Sequence, residues 1–136
     1  MEIWRLMIDF GLVILIWMTQ IIVYPSFTYL NQPELARWHQ KYTIKITFIV
    51  APLMFAQVGI IVWQLIQNFH VLHMVSALLV ISAWINTFFF AVPLHENITK
   101  NINESLSSKK LVRVNWFRTA VWSIVWMISL WQVLIK

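Results

Sequence analysis

The sequence predicts an all-α protein, a transmembrane four-helix bundle with a short interfacial amphipathic helix between the first and second spans. Three observations lead there. Hydrophobic residues make up 60% of the 136 residues and charged ones only 11%, where a water-soluble domain carries about a quarter charged. Residues 10–33 and 46–95 contain no Asp, Glu, Lys or Arg, and a span of the hydrocarbon needs about 20 apolar helical residues. Nine tryptophans suit the headgroup boundary, which indole rings favour. So apolar a chain lacks the polar groups to cover itself in water, and lipid serves it as solvent.

The elements follow in order within one domain, 1–136. The first helix is expected at about 3–24, stopped by Pro25. Its apolar run is too long for a secretory signal and ends in Tyr24-Pro25-Ser26 rather than a small-x-small site. Asn31-Gln32-Pro33-Glu34 reads as a helix start, with a polar cap, proline in the first turn and an acid near the positive end of the dipole. Leu35, Trp38 and Tyr42 then share one side of a segment expected to lie along the interface. The second helix is expected at about 43–66 and the third at about 71–92, with Gln67-Asn68-Phe69-His70 as the tight turn between them. Pro52 should kink the second helix. A solvated loop, His95 to Lys110, leads to the fourth helix at about 111–135.

Orientation follows from the basic residues. Arg37, Lys41, Lys45, Lys100, Lys109, Lys110, Arg113 and Arg118 flank the two longer loops, against Arg5 and Lys136 on the other side. Both loops are therefore expected in the cytoplasm and both termini outside. Basic residues that flank spans make no nucleic-acid surface, so the net charge of +5 implies no nucleic-acid partner. The lack of cysteine removes disulfides and thiol catalysis. With only two glycines there is no phosphate-binding loop, and neither a nucleophile elbow nor a carboxylate pair is present.

Ionisable and amide side chains inside membrane helices are costly and therefore candidates for function. The main group gathers at the cytoplasmic boundary. His39, His95, Asn115 and Arg118 are the candidate catalytic residues, and Tyr24, Tyr42, Glu96 and Trp122 the candidate ligand contacts. Asn115 and Arg118 are three apart on one helix face, and Trp122 continues that face a turn deeper. An imidazole, an amide, a guanidinium and a phenol at one depth could bind an anionic or quinone-like head group, or do acid–base work. The plain alternative has Arg118 reaching to lipid phosphates, His95 and Glu96 in water and Asn115 bridging helices. A second group, Asp9 with His70 and His73, has the residue types of a divalent-metal site but no fourth ligand. Histidines in water at the boundary are the preferred reading there. A polar stripe through Asp9, Gln20, Gln57, Asn86 and Ser123 is read as hydrogen bonding between helices. No cofactor is named by the sequence, and a haem on His39 and His95 is not favoured because neither is expected well inside a helix.

Tyr24-Pro25, His39, Pro52-Leu53-Met54, Val92-Pro93-Leu94-His95 and Asn115-Trp116-Phe117-Arg118-Thr119 together resemble a family of small bacterial four-helix membrane proteins of unknown function. More distantly they resemble the anthrone-oxygenase-like membrane proteins, whose third helix ends in Pro-Leu-Asn and whose fourth opens with Asn-x-x-Arg. His95 stands where those oxygenase-like members usually carry asparagine, and Gln57 where the closer family is expected to carry an acid. The resemblance implies a place in a bacterial inner membrane. The enzyme expectation is a cofactor-poor oxidoreductase or oxygenase acting on a lipid-soluble aromatic or quinone-like compound, with His39 and His95 as acid–base groups and Arg118 with Asn115 on a developing oxyanion. A non-catalytic accessory subunit of a larger membrane complex is the competing expectation, and a small transporter the third. Expected partners are the lipid bilayer, a hydrophobic small molecule, and either further copies of this chain or a larger complex.

Overall fold

A computed structural model of the chain describes residues 1–135, the side chain of Glu104 apart. It contains four long helices: α1, Glu2–Tyr29; α2, Gln32–Gln67; α3, Val71–Thr99; and α4, Glu104–Leu134. Each holds a stretch long and apolar enough to cross a membrane. No strand occurs among the described residues.

The helices alternate in direction, as two sets of contacts show. Tyr24 and His39, at the α1–α2 loop, meet His95 and Thr99, at the α3–α4 loop. Arg5, near the N-terminus, meets Gln64, Ser76 and Gln132. The molecule thus has a loop end and a terminal end. Lys136, counted in the basic tally, lies outside the described residues. Leu12, Ile16, Met54, Ile61, Ala83 and Val125 form the central apolar core, and Tyr24, Phe27, Leu35, Ile98 and Leu111 a smaller one at the loop end. Most other large apolar side chains face outward, the arrangement expected where lipid is the solvent.

Three departures from the sequence expectation each have a physical reason. Proline neither ends α1 at Pro25 nor α3 at Pro93. Each is preceded by a five-residue π-helical turn, Thr19–Val23 and Thr87–Ala91. The amide of Tyr24 reaches back to Thr19 and that of Val92 to Thr87, so the wider turn takes in the residue before proline and the helix continues. The threonine opening each turn caps an earlier carbonyl, Thr19 Oγ1 on Leu15 and Thr87 Oγ1 on Ala83, both at 2.8 Å. Such turns relieve the steric clash that makes proline a helix breaker.

The separate interfacial helix is the second correction. Residues 35–42 belong to α2, which runs unbroken from Gln32 through Pro52 to Gln67, 36 residues. At about 1.5 Å per residue that is some 54 Å, well beyond the ~30 Å of hydrocarbon. The first three turns of α2 are therefore a continuous part of that helix, and Leu35 and His39 pack there with Phe27 and Ile98. The helix starts where expected, after Asn31, although the Asn31 side chain makes no capping bond. Third, α4 begins at Glu104 rather than 111, absorbing half of the loop that reads as solvated. Its Ser107 and Ser108 are buried there, beside Leu111. The α2–α3 turn stands as expected, with His70 as the cap that accepts the amide of Leu72 at 3.2 Å.

Candidate functional site

The loop end holds a hydrogen-bonded chain of four side chains from three helices. The Tyr24 hydroxyl lies 3.1 Å from His95 Nε2. His95 Nδ1 is 2.8 Å from His39 Nε2, and His39 Nδ1 is 2.9 Å from Thr99 Oγ1. Tyr24 directly follows the first π turn and is buried, and His95 lies four residues beyond the second. His39 is completely enclosed, ringed by Phe27 and Tyr42, and stacks on His95 with ring centroids 5.0 Å apart. With one proton on each imidazole, every bond in the chain has one donor and one acceptor, and the whole set can point either way. A proton entering at Tyr24 can emerge at His39 by reversing those bonds.

This chain borders a cavity of about 700 Å³ between α2 and α3, backed by α1 and α4. Its upper wall carries Tyr24, Tyr42, His95, Glu96 and Arg118. Its deeper wall is apolar, with Leu12, Ile16, Val50, Met54, Trp84 and Ala91. Arg118 is 8% exposed, its Nε has no hydrogen-bond partner, and its guanidinium carbon lies 5.2 Å from the Trp122 ring centroid. No carboxylate is within ion-pair distance of it among the described residues, because Glu96 pairs with Lys100 at 3.4 Å in solvent.

The structure therefore brings together most of the residues singled out in the sequence and separates one. Tyr24, Tyr42, His95, Glu96, Arg118 and Trp122 line the cavity. His39 stands one hydrogen bond behind His95. Asn115 turns toward α1 instead, donating to Gln20 Oε1 at 2.8 Å, while Gln20 donates to the Val112 carbonyl at 3.4 Å. It joins two helices and lies outside the cavity wall, the bridging role of the plain alternative. Both histidines lie inside helices, contrary to expectation. The nitrogens they turn toward each other are 2.8 Å apart, which leaves no room for a haem iron between them.

The metal candidates do not converge. Asp9 receives Arg5 at 3.4 Å and the Gln57 amide at 2.6 Å. His70 caps α3 and is exposed, whereas His73, expected in water, is buried with its Nδ1 3.1 Å from the Asn68 carbonyl. No three His, Asp or Glu side chains come together in a metal-binding group among the described residues.

Sequence reasoning passed over Arg5 as an orientation charge. It is 1% exposed and donates to four side chains: Asp9, Gln64 at 3.1 Å, Gln132 at 3.0 Å and Ser76 at 2.6 Å. From this hub a buried thread runs to the cavity. Gln57 Nε2 donates to Asp9, Gln57 Oε1 accepts Trp122 Nε1 at 3.2 Å, and the Trp122 ring faces Arg118. The signal available in the sequence was the spacing of Arg5 and Asp9, one turn apart on one helix face.

Comparisons with known protein families, with curated proteins and with solved structures find no match. The chemistry of the site accordingly rests on its geometry.

Proposed function

We propose that this chain is a four-span protein of a bacterial inner membrane that takes a lipid-soluble hydroxyaromatic or quinone-like compound into the cavity between α2 and α3 and moves a proton from or to its oxygen. The observation that carries this reading is the Tyr24–His95–His39–Thr99 hydrogen-bond chain bordering an apolar cavity. The loop end is assigned to the cytoplasm, since eight of the ten Lys and Arg residues lie near the loops.

The proton step balances within the chain's own residues. The ligand hydroxyl gives its proton to the Tyr24 oxygen while Tyr24 passes its own to His95 Nε2. His95 releases its Nδ1 proton to His39 Nε2, so that His39 becomes the cation and donates its Nδ1–H to Thr99. The ligand is left as an oxyanion beside Arg118, whose planar, permanently charged guanidinium suits that task. A hydroxyaromatic held as its oxyanion is the electron-rich form that an oxidant such as dioxygen attacks, so the site suits an oxidoreductase or oxygenase. The short-motif resemblance to anthrone-oxygenase-like proteins points to the same substrate class.

The test uses the protein in nanodiscs with 2-naphthol, whose absorption distinguishes the neutral from the ionised ground state. Anion absorption is expected at a pH where free naphthol is neutral, and its loss in both His95→Phe and His39→Phe. Naphthol that binds only as the neutral form, or fails to bind, overturns the reading.

A further inference from the structure

We infer that the same cavity also takes a single-tailed lipid acid, with an oxyanion head on Arg118 and an apolar tail running down α3 toward Trp84, entering sideways from the bilayer and competing there with the hydroxyaromatic compound. This rests on the reading of the cavity as a ligand site and names a second class of compound it takes.

The head is assigned by charge. Among the charged side chains on the cavity wall, Lys100 and Glu96 neutralise each other at 3.4 Å. Arg118 is left as the one unmatched charge among the described lining residues, 92% removed from solvent and with its Nε–H unclaimed. The face of Trp122 gives it a partial counterpart, but a ring supplies no acceptor for a guanidinium N–H. A monoanion with two or more oxygens completes both the charge and the hydrogen bonding, and Tyr24 and His95 stand beside it as further partners.

The tail is assigned by shape. From His95 to Trp84 the wall follows α3 for about 16 Å at helical rise, and the residues facing it from α1 and α2 include Leu12, Ile16, Val50 and Met54. The lining hydroxyls of Thr19, Thr43, Thr47 and Thr87 are spent on carbonyls of their own helices. A polar head alone would leave this apolar length unfilled. Ala91, 1% exposed, keeps the wall narrow at mid-length, where a larger side chain would close it.

The entry is assigned by exposure. Phe55 on α2 and Phe88 on α3 both line the cavity, yet are 65% and 56% exposed on the outer face of the bundle. The cavity therefore meets the outside along the α2–α3 seam, at a height where lipid would surround it. A lipid acid can pass in tail and head together without crossing water.

The experiment reads the carboxyl carbon of [1-13C]dodecanoate added to the protein in phosphatidylcholine nanodiscs. A shifted, saturable signal is expected, with affinity falling tenfold or more for Arg118→Gln and less for Arg118→Lys. 1-Dodecanol, with the same tail and no charge, and benzoate, with the head and no tail, should each compete poorly. Ala91→Trp leaves Arg118 in place and should abolish binding by blocking the tail. Displacement of dodecanoate by added lysophosphatidylglycerol would support the same oxyanion chemistry and identify a lipid headgroup as its source, whereas equal displacement by two-tailed phosphatidylglycerol overturns the single tail. Dodecanol competing as well as dodecanoate overturns the anionic head, and unchanged binding to Ala91→Trp overturns the tail. If dodecanoate fails while naphthol still ionises in the same nanodiscs, the lipid-acid class falls and the proton-transfer reading stands. Failure of both overturns the cavity as a site.

Discussion

Arg118 lies across the face of Trp122, 5.2 Å from the ring centroid, while the edge of that indole is tied by its N–H to Gln57 at 3.2 Å. The indole N–H of Trp122 can only donate, so its bond to Gln57 fixes the amide oxygen toward Trp122 and turns the amide nitrogen to Asp9 at 2.6 Å. An ion pair near the terminal end is thus joined to the plane on which the cavity's arginine rests.

Gln57→Leu should show that dependence. It removes the acceptor of a buried indole N–H, a loss on the order of 1–3 kcal/mol. The Trp122 indole 15N–H resonance should move, dodecanoate affinity should fall several-fold, and the protein should still fold. Gln57→Asn, which keeps the amide, should recover part of the affinity. An unmoved Trp122 resonance in Gln57→Leu would separate Arg118 from the thread.

The Arg5 hub is predicted to be the main polar contributor to stability. Arg5→Met strands Asp9 among apolar helices and should cost about 3–5 kcal/mol, the usual penalty for breaking a buried pair from one side. The double variant Arg5→Met with Asp9→Leu removes both charges and should regain much of it. Thermal unfolding in detergent gives both values. A single variant as stable as the parent would mean that the pair contributes nothing.

The two-histidine chain limits protonation. One added proton leaves a donor and an acceptor at the 2.8 Å contact between His39 and His95, whereas a second sets two N–H groups against each other. Assigned imidazole 15N spectra across an acid titration should therefore show at most one doubly protonated ring between His39 and His95 while the fold persists. His39→Gln should free His95 from that limit. His39 and His95 both doubly protonated in the intact protein would contradict the chain.

Topology is predicted with cysteines placed where the structure exposes the chain. Tyr29 is 89% exposed, Asn101 and Ser105 are exposed, and Ser107 is buried and unsuitable. Cysteines at Tyr29 and Ser105 should react with a membrane-impermeant reagent only from the cytoplasmic side. Reaction from outside in intact cells would invert the orientation.

How much of this was legible beforehand differs by residue. His95, Arg118, Tyr24 and Tyr42 could be grouped because hydropathy places them at one depth, and depth is a property of sequence position. Asn115 was grouped with them by the same logic, yet it faces Gln20, since depth says nothing of rotation about the helix axis. Arg5 was read by its sign alone, because its partners Gln64, Ser76 and Gln132 come from three other helices. Pro25 and Pro93 carried a true local rule, a helix clash, which a wider turn relieves.

What the sequence determined by itself is the number of helices, their apolar character and the alternation that places both loops at one end. These follow from composition along the chain, because the hydrophobic driving force on a helix is a sum over its own residues. Only the tertiary structure decided which polar side chains meet. That choice depends on the rotation and offset of each helix against its neighbours, as when Arg5 and Gln132, 127 positions apart, come within 3.0 Å. Packing sets those quantities for the four helices jointly, and no single segment encodes them.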